Sequence, residues 1–68
     1  MLYNLKEIRI SQGLTLKQLA IKTGISPTYL NDLENLKCNN PSYKIMQKLT
    51  KTLNRTIKDL EGEQWYGK

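Results

Sequence analysis

Histidine and phenylalanine are absent from this 68-residue chain, and Cys38 is its single cysteine. Without histidine there is no imidazole base, and one thiol forms neither an intrachain disulfide nor a zinc site. Enzyme chemistry based on a metal cluster or a histidine pair is excluded, and no cofactor is expected. Long apolar runs are also missing. The longest spans three residues, as in Leu19-Ala20-Ile21, against the roughly 20 that a membrane-crossing helix needs. The N-terminus lacks the basic-then-apolar pattern of a secretory leader, so a reducing cytoplasm is the expected setting, with no membrane partner.

What remains is basic and rich in Leu. Eleven Lys and Arg against six Asp and Glu leave a net charge of +5. That imbalance attracts polyanions, nucleic acid first and anionic membrane second. A membrane-surface role would need an amphipathic Lys/Trp helix, which the chain lacks. Hydrophobic residues make up 38% of the sequence. With so few residues, Leu and Ile must fill one economical core, which points to a single all-α domain over 1–68.

Periodicity and cap signals divide the chain into five helices. Leu2, Leu5 and Ile8 recur at a spacing of three, predicting a first helix over 2–12 that stops before Gly13. Thr15 followed by Gln18 is a capping box opening a second, over 15–23. Ser26-Pro27 repeats the start signal for a third, over 26–35, with Asn35 expected to adopt the left-handed conformation that ends it. Ser42 caps a fourth over 42–53, carrying Ile45, Met46, Leu49 and Leu53 on one face, and Asn54 closes it. Thr56 caps a fifth over 56–61, with Ile57 and Leu60 expected inward; Gly62 begins the tail 62–68.

Within this series Leu19, Ala20, Gly24, Ile25, Leu30 and Leu33 have the spacing of a helix-turn-helix. The small Ala20 allows close approach of helices 2 and 3, and Gly24 takes a positive φ at the turn at little cost. Advancing about 100° per residue from a buried Leu30 puts Thr28 and Asp32 opposite the buried line. Asn31 and Asn35 fall on one shoulder, Tyr29 on the other, and Pro27 leads.

The stretches Leu14 to Ala20 and Gly24 to Leu30, with Glu34 and Asn40-Pro41-Ser42, resemble the Cro and phage-repressor type of helix-turn-helix, the XRE family. The likeness spans Leu5 to Leu60. It implies a compact five-helix bundle of the lambda-repressor-like type that binds double-stranded DNA as a dimer. Helix 3 would read the major groove through Pro27, Thr28, Tyr29, Asn31 and Asp32. By chemistry, Asn31 suits adenine, Thr28 suits thymine, and Asp32 suits cytosine N4. Phosphate contacts would come from Thr15, Lys17, Ser26, Lys37, Asn39, Asn40, Ser42 and Lys44. The likeness also implies a buried ion pair between Arg9 and Glu34.

Three positions depart from the family's pattern. Leu16 stands where many members carry a backbone-contacting glutamine. Leu36 stands where a glycine is usual, so the end of helix 3 is expected to be built differently. Asp32 places a negative charge toward the groove, which repels phosphate unless a cytosine amino group or a lysine answers it. Cys38 reads first as an incidental exposed thiol, with a redox switch as the alternative if Lys37 stabilises its thiolate. Leu16, Trp65 and Tyr66 are candidates for a dimer surface, with Trp65 equally suited to packing on its own core. The expected function is a sequence-specific regulator, a repressor at a palindromic operator, with activation left open. The alternative is an antitoxin or anti-repressor type of module that holds a protein.

Overall fold

The computed structural model describes residues 2–38 and 41–62. Five helices follow one another: α1 Leu5–Ser11, α2 Leu16–Thr23, α3 Pro27–Glu34, α4 Tyr43–Leu53 and α5 Ile57–Glu61. The described residues contain no strand.

Each helix from α2 onward starts where a hydroxyl can satisfy its first donors. Thr15, Ser26, Ser42 and Thr56 are in extended conformation, and their side-chain oxygens accept from the N–H three residues on. Thr15 with Gln18, and Thr56 with Asp59, close reciprocal capping boxes. No hydroxyl does this for α1. It begins at Leu5, three residues later than the periodicity suggests, because Asn4 is drawn away to α5. The Asn4 N–H donates to Leu60 O at 2.9 Å and its Nδ2 to Asp59 O at 3.2 Å. Leu2 is still buried, ahead of the helix rather than on it.

The helix ends reveal a correction. Three helices close with two backbone N–H groups reaching back across one left-handed residue, in the Schellman arrangement after α1 and α3 and onto the single Thr50 O after α4. That residue is Gly13 after α1, Asn54 after α4 and, after α3, Leu36 at φ 60. Leu36 N donates to Leu33 O at 3.2 Å, and Lys37 N to Asp32 O at 2.8 Å. Asn35, expected to be left-handed, has φ −91. The end of α3 therefore keeps the geometry a glycine would give, and Leu36 bears the strain.

The core is a Leu-dominated cluster: Leu2, Leu5, Leu19, Leu30, Leu33, Leu49, Leu53 and Leu60, joined by Ala20, Ile25 and Met46. Leu16 packs half-buried against it, which removes most of that side chain from a dimer surface, while Trp65 and Tyr66 lie outside the described residues. Ile57, expected inward, is 40% exposed; only Leu60 anchors the five-residue α5. Truncating one fully buried leucine such as Leu30 to Ala should cost about 2–5 kcal/mol. A chain this small has roughly 3–10 kcal/mol to lose.

Candidate nucleic-acid interface

The turn between α2 and α3 is built from three neighbouring residues. Gly24 sits at φ 75 and its N–H donates to Ala20 O at 2.8 Å, ending α2. A Cβ there would meet nothing within 4 Å, so the dihedral alone, not space, requires glycine. Thr23, which the sequence pattern did not single out, is buried. Its Oγ1 donates to Leu19 O at 2.8 Å and accepts from Ile25 N at 3.2 Å. The hydroxyl ties the last turn of α2 to the residue that enters the core. Ala20 and Ile25 are buried on either side of the bend.

Beyond the turn, Leu30 and Leu33 hold α3 to the core. Pro27, Thr28 and Asn31 are exposed, and Asp32 is partly so. Asn35, also exposed, donates from Nδ2 to Asn31 Oδ1 at 3.1 Å. The sequence placed Asn35 beside Asn31 without assigning it work; the i, i+4 spacing was the signal available. The bond occupies one Oδ1 lone pair of Asn31 and leaves the other lone pair and both Nδ2 hydrogens unused within the chain.

Tyr29 sits differently from the other four groove candidates. Its ring is half-buried against the core and its hydroxyl lies 3.5 Å from Cys38 Sγ. That bond, with burial adding to it, pushes the phenol above its ordinary pKa of 10.0. Cys38 is correspondingly half-buried rather than an exposed thiol.

At the other end of α3, Arg9 fastens three elements at once. Its Nε donates to Glu34 Oε2 at 2.6 Å, its Nη2 to Glu34 Oε1 at 3.1 Å and its Nη1 to Leu14 O at 2.7 Å. The side chains are 11% and 4% exposed. The planar fork suits this bidentate geometry, and burial removes it from solvent screening. The pair fixes the angle of α3 on α1.

Thr15, Lys17, Ser26, Lys37, Ser42 and Lys44 are all exposed, whereas Asn39 and Asn40 lie outside the described residues. Lys17, Ser26 and Pro27 come together in an open cleft of about 460 Å³ between α2 and α3. Lys44 belongs to a separate groove along α4. The backbone N–H of Lys37 is already committed to Asp32 O, which leaves only its ammonium for a ligand. Thr15, Ser26 and Ser42 use a lone pair for capping, so each hydroxyl proton is still free to donate outward. Electrostatically α3 is unusual: from Pro27 to Glu34 it carries no Lys or Arg, and Asp32 has no ion-pair partner among the described residues. No described helix is long and apolar enough to cross a membrane.

Comparison with known proteins agrees with this architecture. The chain matches the helix-turn-helix family over residues 5–60. It is similar to the HTH-type transcriptional regulator DdrOP3 of Deinococcus deserti, 44% identical over 64 residues, which is 93% of this chain and 49% of that protein. It is also similar to the HTH-type transcriptional regulator SinR of Bacillus licheniformis and of Bacillus subtilis. Identity there is 30% over 60 residues, covering 88% of this chain and 54% of each relative. The chain thus spans about half the length of the curated relatives it matches. No solved structure matches it.

Proposed function

The chain belongs to the helix-turn-helix family, and from that premise we propose that it is a non-enzymatic, sequence-specific regulator of transcription that binds double-stranded DNA. The observation that carries this reading is the outer face of α3. Pro27, Thr28 and Asn31 stand exposed on a helix that Gly24, the Arg9–Glu34 pair and two buried leucines hold rigidly. The relatives' names as transcriptional regulators support it.

In this reading Asn31, steadied by Asn35, pairs with adenine N6 and N7. Thr28 meets a thymine methyl and Asp32 a cytosine amino group; each is worth about 1–3 kcal/mol of discrimination. Tyr29 contributes only through its exposed edge. Thr15, Lys17, Ser26, Lys37, Ser42 and Lys44 supply phosphate contacts that set register, together with Asn39 and Asn40. One protomer reads too few bases to be selective in a genome. Two copies related by a twofold axis, about 34 Å apart on successive major grooves, would read a palindromic operator. Occupying it obstructs polymerase, which makes repression the expected outcome.

Selection of bound duplexes from a random pool tests the reading directly, since it should return a palindrome with half-sites about 10 base pairs apart, centre to centre. Affinity for the selected site should fall roughly a thousandfold between 50 and 200 mM salt if six or more phosphates are engaged. An unenriched pool together with a flat salt response sinks it. The cation-free α3 favours one competing reading, a protein-holding module of the antitoxin or anti-repressor kind, which those same two results would support.

A further inference from the structure

Charge is segregated along this chain in a way the groove-reading face does not use. Between Glu34 and Asp59 there are six cations, Lys37, Lys44, Lys48, Lys51, Arg55 and Lys58, and no anion. That segment holds a charge of +6 in a chain of net +5, so the rest sums to −1. Its centre is α4, whose inner face is occupied by Met46, Leu49 and Leu53.

On the outer face lies an open groove of about 430 Å³ shared by α4 and α5. Tyr43, 70% exposed, and Ile57, 40% exposed, supply its apolar lining. Lys44, Lys48 and Lys51 run along it at spacings of four and three, one edge of a single helix. Aromatic and aliphatic groups standing in solvent beside a row of cations form an amphipathic pair of surfaces. The nearest anion in the chain, Asp59, is engaged in capping α5, where its Oδ2 accepts from Thr56 N at 3.1 Å.

We propose that this groove is a docking site for an acidic amphipathic helix of a partner protein, which sets carboxylates against Lys44, Lys48 and Lys51 and an apolar side chain between Tyr43 and Ile57. Charge complementarity selects this occupant. A second copy of the chain would turn the lysine row toward its own image across a twofold axis, and like charges there are repulsive. A phosphate backbone would be served by the lysines but leaves the concave apolar lining unfilled. The site lies away from α3 and shares only Lys44 with the proposed phosphate contacts, so Lys48, Lys51, Tyr43 and Ile57 report on it separately from the DNA-binding reading.

The test uses the intact chain and a capped helical peptide of about 15 residues, with Glu at the matching i, i+4, i+7 spacing and Leu on the adjoining face. Two-dimensional NMR should show the peptide shifting resonances of Tyr43, Lys48, Lys51 and Ile57, and leaving Thr28 and Asn31 unmoved. Because these side chains are exposed, Lys48→Glu with Lys51→Glu should fold normally and weaken binding by about tenfold or more. Tyr43→Ala should weaken it several-fold. A peptide with Lys in place of Glu should not bind. Equal binding of that peptide, or no shifts at millimolar concentration, overturns the proposal. So does a random-sequence duplex that moves Lys48 and Lys51 more than the peptide does, or self-association that Tyr43→Ala abolishes.

Discussion

Leu36 and Gly24 occupy left-handed positions at φ 60 and φ 75, one with a side chain and one without. For a residue with a Cβ that conformation costs about 1–2 kcal/mol, while glycine loses roughly 0.5–1 kcal/mol of backbone freedom on ordering. At position 36, Leu→Gly relieves the strain and forfeits the contacts of a half-buried leucine, so its net effect is close to zero. Comparing Leu36→Gly with Leu36→Ala removes that ambiguity, since neither keeps the side chain beyond Cβ. The glycine variant should be the more stable by about 1 kcal/mol. At Gly24, where a Cβ has free space, Gly→Ala should lose a similar amount, about 1 kcal/mol, for the dihedral alone. Urea unfolding followed by far-ultraviolet circular dichroism measures both. The midpoints should move while the slopes stay constant, and Tm should shift by about 4–8 °C per kcal/mol. If Leu36→Ala equals or exceeds Leu36→Gly in stability, the chain does not hold position 36 in a left-handed conformation, and the account of the end of α3 is wrong.

Removing one partner of the Arg9–Glu34 pair should be far more damaging than removing both. Glu34→Gln is expected to lose about 3 kcal/mol or more, whereas Arg9→Met combined with Glu34→Leu should return most of it; additive losses in a double-mutant cycle would refute a coupled pair. If Asn31 reads adenine, Asn35→Ala should lower discrimination at that base several-fold while leaving the unfolding free energy within about 0.5 kcal/mol of the parent; a drop in affinity equal across all sequences contradicts the orienting role. Asp59 is held below its ordinary pKa of 3.8, first by the Thr56 backbone N–H, then by the Thr56 hydroxyl and nearby cations. The lowered carboxyl stabilises α5 fully above that ordinary value, and the stabilisation is lost as pH falls through the lower folded one. The stability difference between the parent and Asp59→Asn should therefore narrow below about pH 4; a constant difference from pH 7 to 2 argues against it.

Much of the fold was legible in the sequence because the signals that set it are local. The starts of α2 to α5 each depend on one hydroxyl and the N–H three residues away, and the turn depends on one glycine. The missed features are set by distant neighbours. Leu2 is buried outside any helix because Asn4 is bonded to α5, fifty-odd residues on. Leu36 becomes left-handed because the cap after α3 needs such a residue whatever its type. Ile57 faces outward because α5 is too short to bury two positions. Tyr29 turns toward Cys38, a contact that helical angle alone does not contain. In the candidate site, the exposure of Pro27, Thr28 and Asn31 follows from periodicity. The Asn35 bond to Asn31 and the role of Thr23 needed side-chain geometry.

The cap hydroxyls of Thr15, Ser26 and Ser42 bind inward through a lone pair and present a proton outward. Under the proposed phosphate contacts, folding and ligand capture at these three sites would draw on the same oxygen atom. Genetic drift there meets two penalties at once, which narrows the tolerated exchanges to other residues carrying both an acceptor and a donor, chiefly Ser, Thr and Asn. An aspartate would keep the helix start and repel the phosphate, separating the two roles within a single carboxyl group.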